Sequence, residues 1–445
     1  MFKYFKILFF ITITYLPFQI ALNPLSGVDL ASGRVLIAIL ILYWLYNFYF
    51  QPEKKIVLNL QKLDLIGIFL VLFLFWSVFS LFWADNFSFA FRKVIFWLNI
   101  FPFYFVAQMF LKTKKDLIVL FKILIYSSAF VAFIAILQFG LQFIYSPYLV
   151  FNKWFLLYPF LFGKTSAISA MLLAPNWLAH INSSVFMRSI GSFPDPNTFG
   201  FYLAFVIPLA LLVKEKYFKI IGGMLILALL FTFSRGAYIG AIISLIILLF
   251  LNLKFKIKNE KLRIKFFKFK VPIILFFVFC SFLLIISPIG TRFFSSFDFQ
   301  DKGVSERLEI WSQAVNVIKK NPVLGVGIGN YVERVDLFSE QRGYRSPIHA
   351  HNIYLQITAE LGIIGLILYL AIFIFALKNL YCLFFILKEK TILKYKKGWF
   401  FAVFLSLIWF SVHGFFDVSI FSPRILPLLM VFLALSEKNK VMIIK

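Results

Sequence analysis

Cysteine, histidine and acidic side chains are all scarce in this chain. The two cysteines, Cys280 and Cys382, fall in or beside apolar stretches and read as packing residues, which leaves neither a disulfide framework nor a thiolate metal site. Asp and Glu together number 19 in 445 residues against 45 Lys and Arg, and histidine occurs four times. Asp298-Phe-Gln-Asp301 is too sparse for a metal site, and no other cluster has ligand spacing. Gly-Val-Gly-Ile-Gly at 325–329 follows no βαβ pattern and has no Walker lysine, so a nucleotide loop is excluded. The net charge of +26 lies in short runs between apolar spans rather than on one face, which argues against nucleic acid as a partner. Long polar intervals are scarce as well. There is one, from about Pro288 to Gly365.

What the chain has in excess is apolar surface. It is 62% hydrophobic with mean hydropathy +0.91, whereas a soluble domain is about half apolar. Only a bilayer can solvate that much apolar surface, so the expected class is an all-α polytopic membrane protein. Apolar runs at 7–22, 34–50, 65–83, 94–111, 117–144, 198–213, 217–233, 237–251, 271–287, 353–377, 399–416 and 425–435 predict about twelve transmembrane helices, each near the roughly 20 residues a bilayer needs. The first resembles a signal peptide, but no small-x-small cleavage site follows, and a retained helix is expected. The short apolar stretch 151–162 follows Ser146-Pro147 and is expected to lie on the membrane or re-enter it.

Charge sets the orientation. With the N-terminus inside and two helices over 220–251, reversing at Ser234-Arg235-Gly236, most Lys and Arg fall on the inner side. A single long helix there would put the basic run 254–270 outside. Both termini are then cytoplasmic, and every candidate chemical group faces outward. The organisation predicted is 1–144 N-terminal helices, 145–197 an extracytoplasmic or re-entrant loop, 198–287 central helices, 288–352 an extracytoplasmic catalytic loop, and 353–445 C-terminal helices.

The catalytic loop has internal pattern. Residues 305–320 place Leu308, Trp311, Val315 and Ile318 on one helical face, with Ser305 as the expected N-cap. A new helix opens near His351. Asn352, Gln356 and Glu360 recur every four residues as a polar stripe, and Gly362 and Gly365 would let a neighbouring helix approach. A histidine at that mouth, near pKa 6.5 when unperturbed, suits a general base for a sugar hydroxyl, the bland alternative being a surface histidine among headgroups. His349 is the second candidate. Arg188, Arg235 and Arg307 are the candidate cations. Their guanidinium forks match a diphosphate, and snorkelling to headgroups is the competing account for Arg235. His413 and Asp417, four apart at a helix end, share a face and either line the site or form a structural pair.

Four segments together resemble the O-antigen ligase and polysaccharide polymerase superfamily. They are Arg188 through GSFPDPNTFGFYLA, TFSRGAYIGA around Arg235, ERLEIWSQAVNVIKKNPVLGVGIGNY at 306–331, and HAHNIYLQITAELGIIG at 349–365. The last matches the ligase-type pattern His-[Asn/Ser/Gln]-x9-Gly-x2-[Gly/Thr/Tyr]. The resemblance covers 188–377. It implies a membrane glycosyltransferase of the C-type architecture in the bacterial inner membrane. Its donor would be a polyprenyl-diphosphate-linked glycan, used without metal or nucleotide cofactor. His351 falls on the family's catalytic histidine, and Arg188, Arg235 and Arg307 fall on its diphosphate-holding arginines. Asn197 and Asn352 stand beside them as further site candidates. Where many relatives have His-Pro-Asn this chain has Asp195-Pro196-Asn197, so position 195 inherits no role. The implied acceptor is lipid A–core for a ligase, the growing chain for a polymerase, or a protein in a related group. A lipid-glycan transporter would need polar residues through the midplane of several helices, and few are found.

Overall fold

The computed structural model describes residues 1–25, 28–50, 65–164, 176–181, 184–213, 215–256, 288–295, 298, 302–335, 349–385 and 393–437. Helix α1 (Phe2–Tyr15) ends in a short 3-10 turn at Leu16–Phe18, where Pro17 cannot continue the α-helical bonding. The chain then forms an antiparallel hairpin, β1 (Ala21–Leu25) with β2 (Val28–Ala31). Thus the first expected span, 7–22, is shorter than its hydropathy, and the fold is not purely helical. Helices α2 (Ser32–Phe50) and α3 (Leu65–Phe79) follow. The expected span 94–111 is two helices, α4 (Phe87–Ile100) and α5 (Phe103–Phe110), parted at Pro102. Helix α6 (Lys114–Leu141) opens on a capping box made by Thr113 and Asp116, and Lys6 of α1 reaches Asp116 at 2.5 Å.

Two short helices, α7 (Pro147–Phe155) and α8 (Tyr158–Phe162), occupy the expected re-entrant stretch. A second hairpin, β3 (Leu178–Ile181) with β4 (Ser184–Met187), leads to α9 (Pro196–Leu212), which is buried along nearly its whole length. Helix α10 (Phe218–Phe231) and helix α11 (Arg235–Lys256) are separate, as the charge argument required, and Phe233 at the reversal holds φ 48°. The expected span 271–287 and most of Asp298–Asp301 lie outside the described residues. Helices α12 (Pro288–Phe294), α13 (Lys302–Lys320) and α14 (Tyr331–Arg334) come next. The last three are α15 (Ile353–Phe385), α16 (Leu393–His413) and α17 (Leu426–Glu437). Among the described residues five helical stretches are long and apolar enough to cross a membrane, and five more apolar helices have 10–17 residues, so this is a multi-pass helical membrane protein.

The central bundle sets the site. Helix α9 packs against α16, α10 and α11, and α16 also packs against α11. Ser406 Oγ donates to Phe205 O at 2.9 Å, and Trp409 Nε1 donates to Ala237 O at 3.0 Å. Trp409 fits because position 240 is glycine, where a Cβ would meet its ring.

Helix α15 is broken at Gly362, which sits at φ 67° and ψ −172°. A break frees carbonyls that would otherwise be orphaned in an apolar surrounding. Here each is met from outside the helix. Val326 N donates to Ala359 O at 3.0 Å, Gly327 N to Glu360 O at 2.9 Å, and Trp76 Nε1 to Leu361 O at 2.9 Å. Ile363 N in turn donates to Pro322 O at 2.9 Å. The neighbour that Gly362 admits is therefore the 322–327 loop and not a helix, which corrects the expectation. Gly325, Gly327 and Gly329 carry that loop at positive φ against α15 and the α3–α4 corner. Arg334 anchors its far end on Asp85 with two bonds, at 2.5 and 2.8 Å.

Candidate functional site

His351 sits at the mouth of α15 with its backbone in the left-handed region, φ 47°, a costly conformation for a non-glycine residue. Two contacts hold it there. Asn352 Oδ1 accepts from Tyr354 N and Leu355 N at 2.9 and 3.1 Å, capping α15. Ile353 N donates to Gly414 O at 2.7 Å, pinning the helix start to the end of α16. This brings His351 Nδ1 within 3.2 Å of Asp417 Oδ1, which also accepts from Val418 N at 2.8 Å. Burial alone would raise the Asp417 pKa. The His351 imidazole, the Arg307 charge and the Val418 N–H outweigh it and hold the carboxyl below its usual range. An ionised Asp417 fixes the proton on Nδ1, leaving the Nε2 lone pair to act as a base. The His351 side chain is 39% exposed and Asp417 only 17%, so the imidazole is the reachable member of the pair.

His413 and Asp417 do not share a helix face, because α16 ends at His413 and Gly414–Phe416 form a turn. Asp417 reaches His351 instead. His413 lies stacked on Phe201 at 3.7 Å between Gly200 and Gly236, where a Cβ would come within 3.1 and 2.9 Å of its ring. The polar stripe after Asn352 is satisfied within the protein. Gln356 Nε2 donates to Glu360 Oε1 at 2.7 Å, and Gln356 Oε1 accepts from Ala350 N at 2.7 Å.

The arginines converge on the same region. Arg188 is buried; its Nε donates to Thr232 O at 2.7 Å, Nη1 to Asn176 O at 2.8 Å and Nη2 to Asn197 Oδ1 at 3.0 Å. Three of five N–H groups are thereby used. Burial, and then the neighbouring Arg292 charge, push its pKa down to about 9, so it remains a cation at neutral pH. Asn197 is thus a holder of Arg188, and Asp195 is the N-cap of α9, accepting from Asn197 N and Thr198 N at 2.9 Å each. Arg235 opens α11, buried, with Nη1 3.4 Å from Ser295 Oγ, which itself donates to Arg292 O at 3.0 Å. Its surroundings are protein, not headgroups. Arg307 lies seven residues before the fully buried Ala314, hence on the same inward face of α13, and its charge acts on both Asp417 and Arg188. Ser305 is not a cap, because α13 begins at Lys302.

Arg292 and Arg424 were not singled out in the sequence. Arg292, on α12, adjoins Arg188; an arginine just after Pro288 at a span's outer end was the available signal. Arg424 is buried and donates to Pro17 O at 3.1 Å, Gln19 O at 2.6 Å and Ser192 O. It clamps the loop that carries Arg188. No pattern in the sequence marks it.

His349 stacks on Phe421 at 5.4 Å, and Lys93 Nζ lies 3.6 Å from that ring's centroid. Burial, then the charges of Lys93 and His351, keep its pKa well below the ordinary value. A histidine depressed in the fold stabilises it above the unfolded pKa, about 6.5, and loses that contribution as pH falls. The melting temperature in detergent should therefore drop between pH 7.5 and 5.5, and His349→Gln should flatten that slope; an unchanged slope would remove His349 from the account.

Residues 220–370 match the profile of a family described as O-antigen ligase, an interval that holds Arg235, Arg292, Arg307, His349 and His351. The chain is similar to a Rickettsia conorii protein named polysaccharide ligase, 40% identical over 74 residues, 15% of this chain and 18% of that one. It is similar to a protein of the same name from Rickettsia felis, 40% identical over 75 residues, again 15% and 18%. It is also similar to the ComP-specific O-oligosaccharyltransferase of Acinetobacter baylyi, 31% identical over 208 residues, 44% of this chain and 36% of that one. The matched stretches thus span well under half the length of each relative.

Proposed function

We propose, for a chain that carries an O-antigen ligase domain over residues 220–370, that it transfers a glycan from a polyprenyl diphosphate to an acceptor hydroxyl. The observation that carries this reading is the His351–Asp417 pair beside Arg188, Arg235, Arg292 and Arg307. His351 Nε2 takes the acceptor's proton as its oxygen bonds to the anomeric carbon. The anomeric C–O bond to diphosphate breaks, and the arginines stabilise the charge that develops on the leaving group. The scheme calls on no metal or nucleotide. The chain crosses the bacterial inner membrane about twelve times. Both termini are cytoplasmic and the site opens on the outer face.

The preferred acceptor is lipid A–core, on the ligase-type spacing from His351 to Gly365. The similarity to an O-oligosaccharyltransferase supports a second reading, in which the accepting hydroxyl belongs to a protein. The test is purified protein incubated with a lipid-linked oligosaccharide and lipid A–core, a candidate acceptor protein, or neither. Product on core supports the ligase reading. Product on protein supports the second, and a ladder without acceptor means a polymerase. Movement of the lipid-linked glycan across the bilayer, with no glycan transferred, would overturn the enzymatic proposal in favour of a transporter.

A further inference from the structure

Helix α13 buries only part of the face its sequence pattern selects: Ile318 packs on the inner cluster and Trp311 is half-buried, but the other two residues are not covered. Leu308 is 42% exposed and Val315 38%, and just beyond the helix Val323 and Leu324 are 52% and 45% exposed. The inward face is centred on Ala314 and Val317, which pack with Val326, Tyr331 and Ala359, and with Leu355 at the edge of that cluster. Exposed Ser305, Ser312 and Asn316 border the apolar stripe on one side, so Leu308 and Val315 lie between the packed face and a polar edge. Neither residue is buried by the rest of the chain, so folding alone does not account for their apolar character.

The height of this stripe can be read from its neighbours. The Val323 carbonyl lies where a Cβ on Gly362 would be, and Leu361 O accepts from Trp76. Tryptophans near the ends of membrane helices mark the headgroup level, as Trp83 does at the end of the candidate span Leu65–Trp83. Trp76 stands two turns inside that end, about 10 Å deeper. Val323 and Leu324, next to the Leu361–Gly362 break that Trp76 holds, therefore lie on the acyl side of the headgroup level, exposed, beside a membrane helix. Lys319 and Lys320, also exposed, close α13 immediately before them, with side chains long enough to reach lipid phosphates.

We infer that the Leu308–Val315 stripe, together with Val323 and Leu324, rests in the headgroup–acyl boundary of the bilayer, making α13 an interfacial helix. The occupant of the stripe is phospholipid. One consequence rests on the proposed function: Arg307, on the inward face of the same helix, is held at the depth of a carrier lipid's phosphates. Bilayer contact would then set the height of a substrate-gripping residue.

The test uses the full chain in phospholipid nanodiscs, with Cys280→Ser and Cys382→Ser as background. Spin labels are placed through Leu308→Cys, Val315→Cys, Val323→Cys and, as control, Asn316→Cys. Labels at 308, 315 and 323 should be several-fold more accessible to dissolved oxygen than to a water-soluble nickel complex, and the label at 316 the reverse. Equal access of nickel to all four, or shielding of 308 and 315 from both relaxants by the chain itself or a second copy, would overturn the inference. Quenching of Trp311 by brominated phospholipid, taken as the difference between the unlabelled protein and Trp311→Phe, repeats the test without labels. Absence of that quenching also counts against it. Neither measurement assumes any chemistry, so a chain that fails to transfer glycan can still pass, and an active one can fail.

Discussion

His351→Ala should lower glycan transfer by about 10²–10⁴-fold, the range that a positioned general base contributes, while the protein still inserts in the membrane. The expectation follows from where the imidazole sits. It is 39% exposed, so its packing contribution is small, and α15 is capped by Asn352 and not by His351. What the substitution removes is the one group whose Nδ1 is fixed by a carboxylate and whose Nε2 is reachable. Asp417→Asn should leave the ring in place but free its tautomer, and should shift the pH profile of transfer as well as its rate. Measured in a reconstituted assay, with the melting temperature as control, His351→Ala protein that is folded and still active would remove the histidine from the mechanism. A variant that fails to fold would instead mean that the strained backbone at φ 47° depends on the side chain.

The largest structural effect is expected at Gly362→Ala. The position combines φ 67° with ψ −172°, a region essentially closed to residues with a Cβ and costing about 1–3 kcal/mol by itself. The added methyl would also overlap the Val323 carbonyl and come within 2.7 Å of Leu324 N. Relief requires the 322–327 loop to move off α15. That would break the bonds to Ala359, Glu360 and Pro322 and leave buried carbonyls without donors, at about 1–3 kcal/mol each. The variant should melt well below the parent in the same detergent and lose transfer, because α13 and its Arg307 hang on that loop. A melting temperature equal to the parent's would show that the loop is not held by the break.

Read together, these sites separate two kinds of information. Composition and periodicity carry the solvent of the fold. A chain 62% apolar must live in a bilayer, and charge asymmetry was enough to split 220–251 into two helices at Arg235. Residue type and motif carry candidate chemistry. Arg235 is legible as a charge interrupting a long apolar stretch. Arg188, Arg307 and His351 are legible through the match of a guanidinium fork to a diphosphate and the pattern that runs from His351 to Gly365. Pairing was not legible. Asp417 looked four residues from His413 on one helix, but α16 stops at His413, and the carboxylate turns to a histidine 66 positions away. Arg292 joins Arg188 only because α12 folds back onto the α10–α11 reversal. Leu308 and Val315 have the spacing of a core stripe, and which way that stripe faces depends on where α15 and the 322–327 loop lie. The division has a plain cause. Transfer free energy is a property of each side chain and sums along the chain, whereas a catalytic contact is a distance between segments whose relative placement arises from packing and from where helices break.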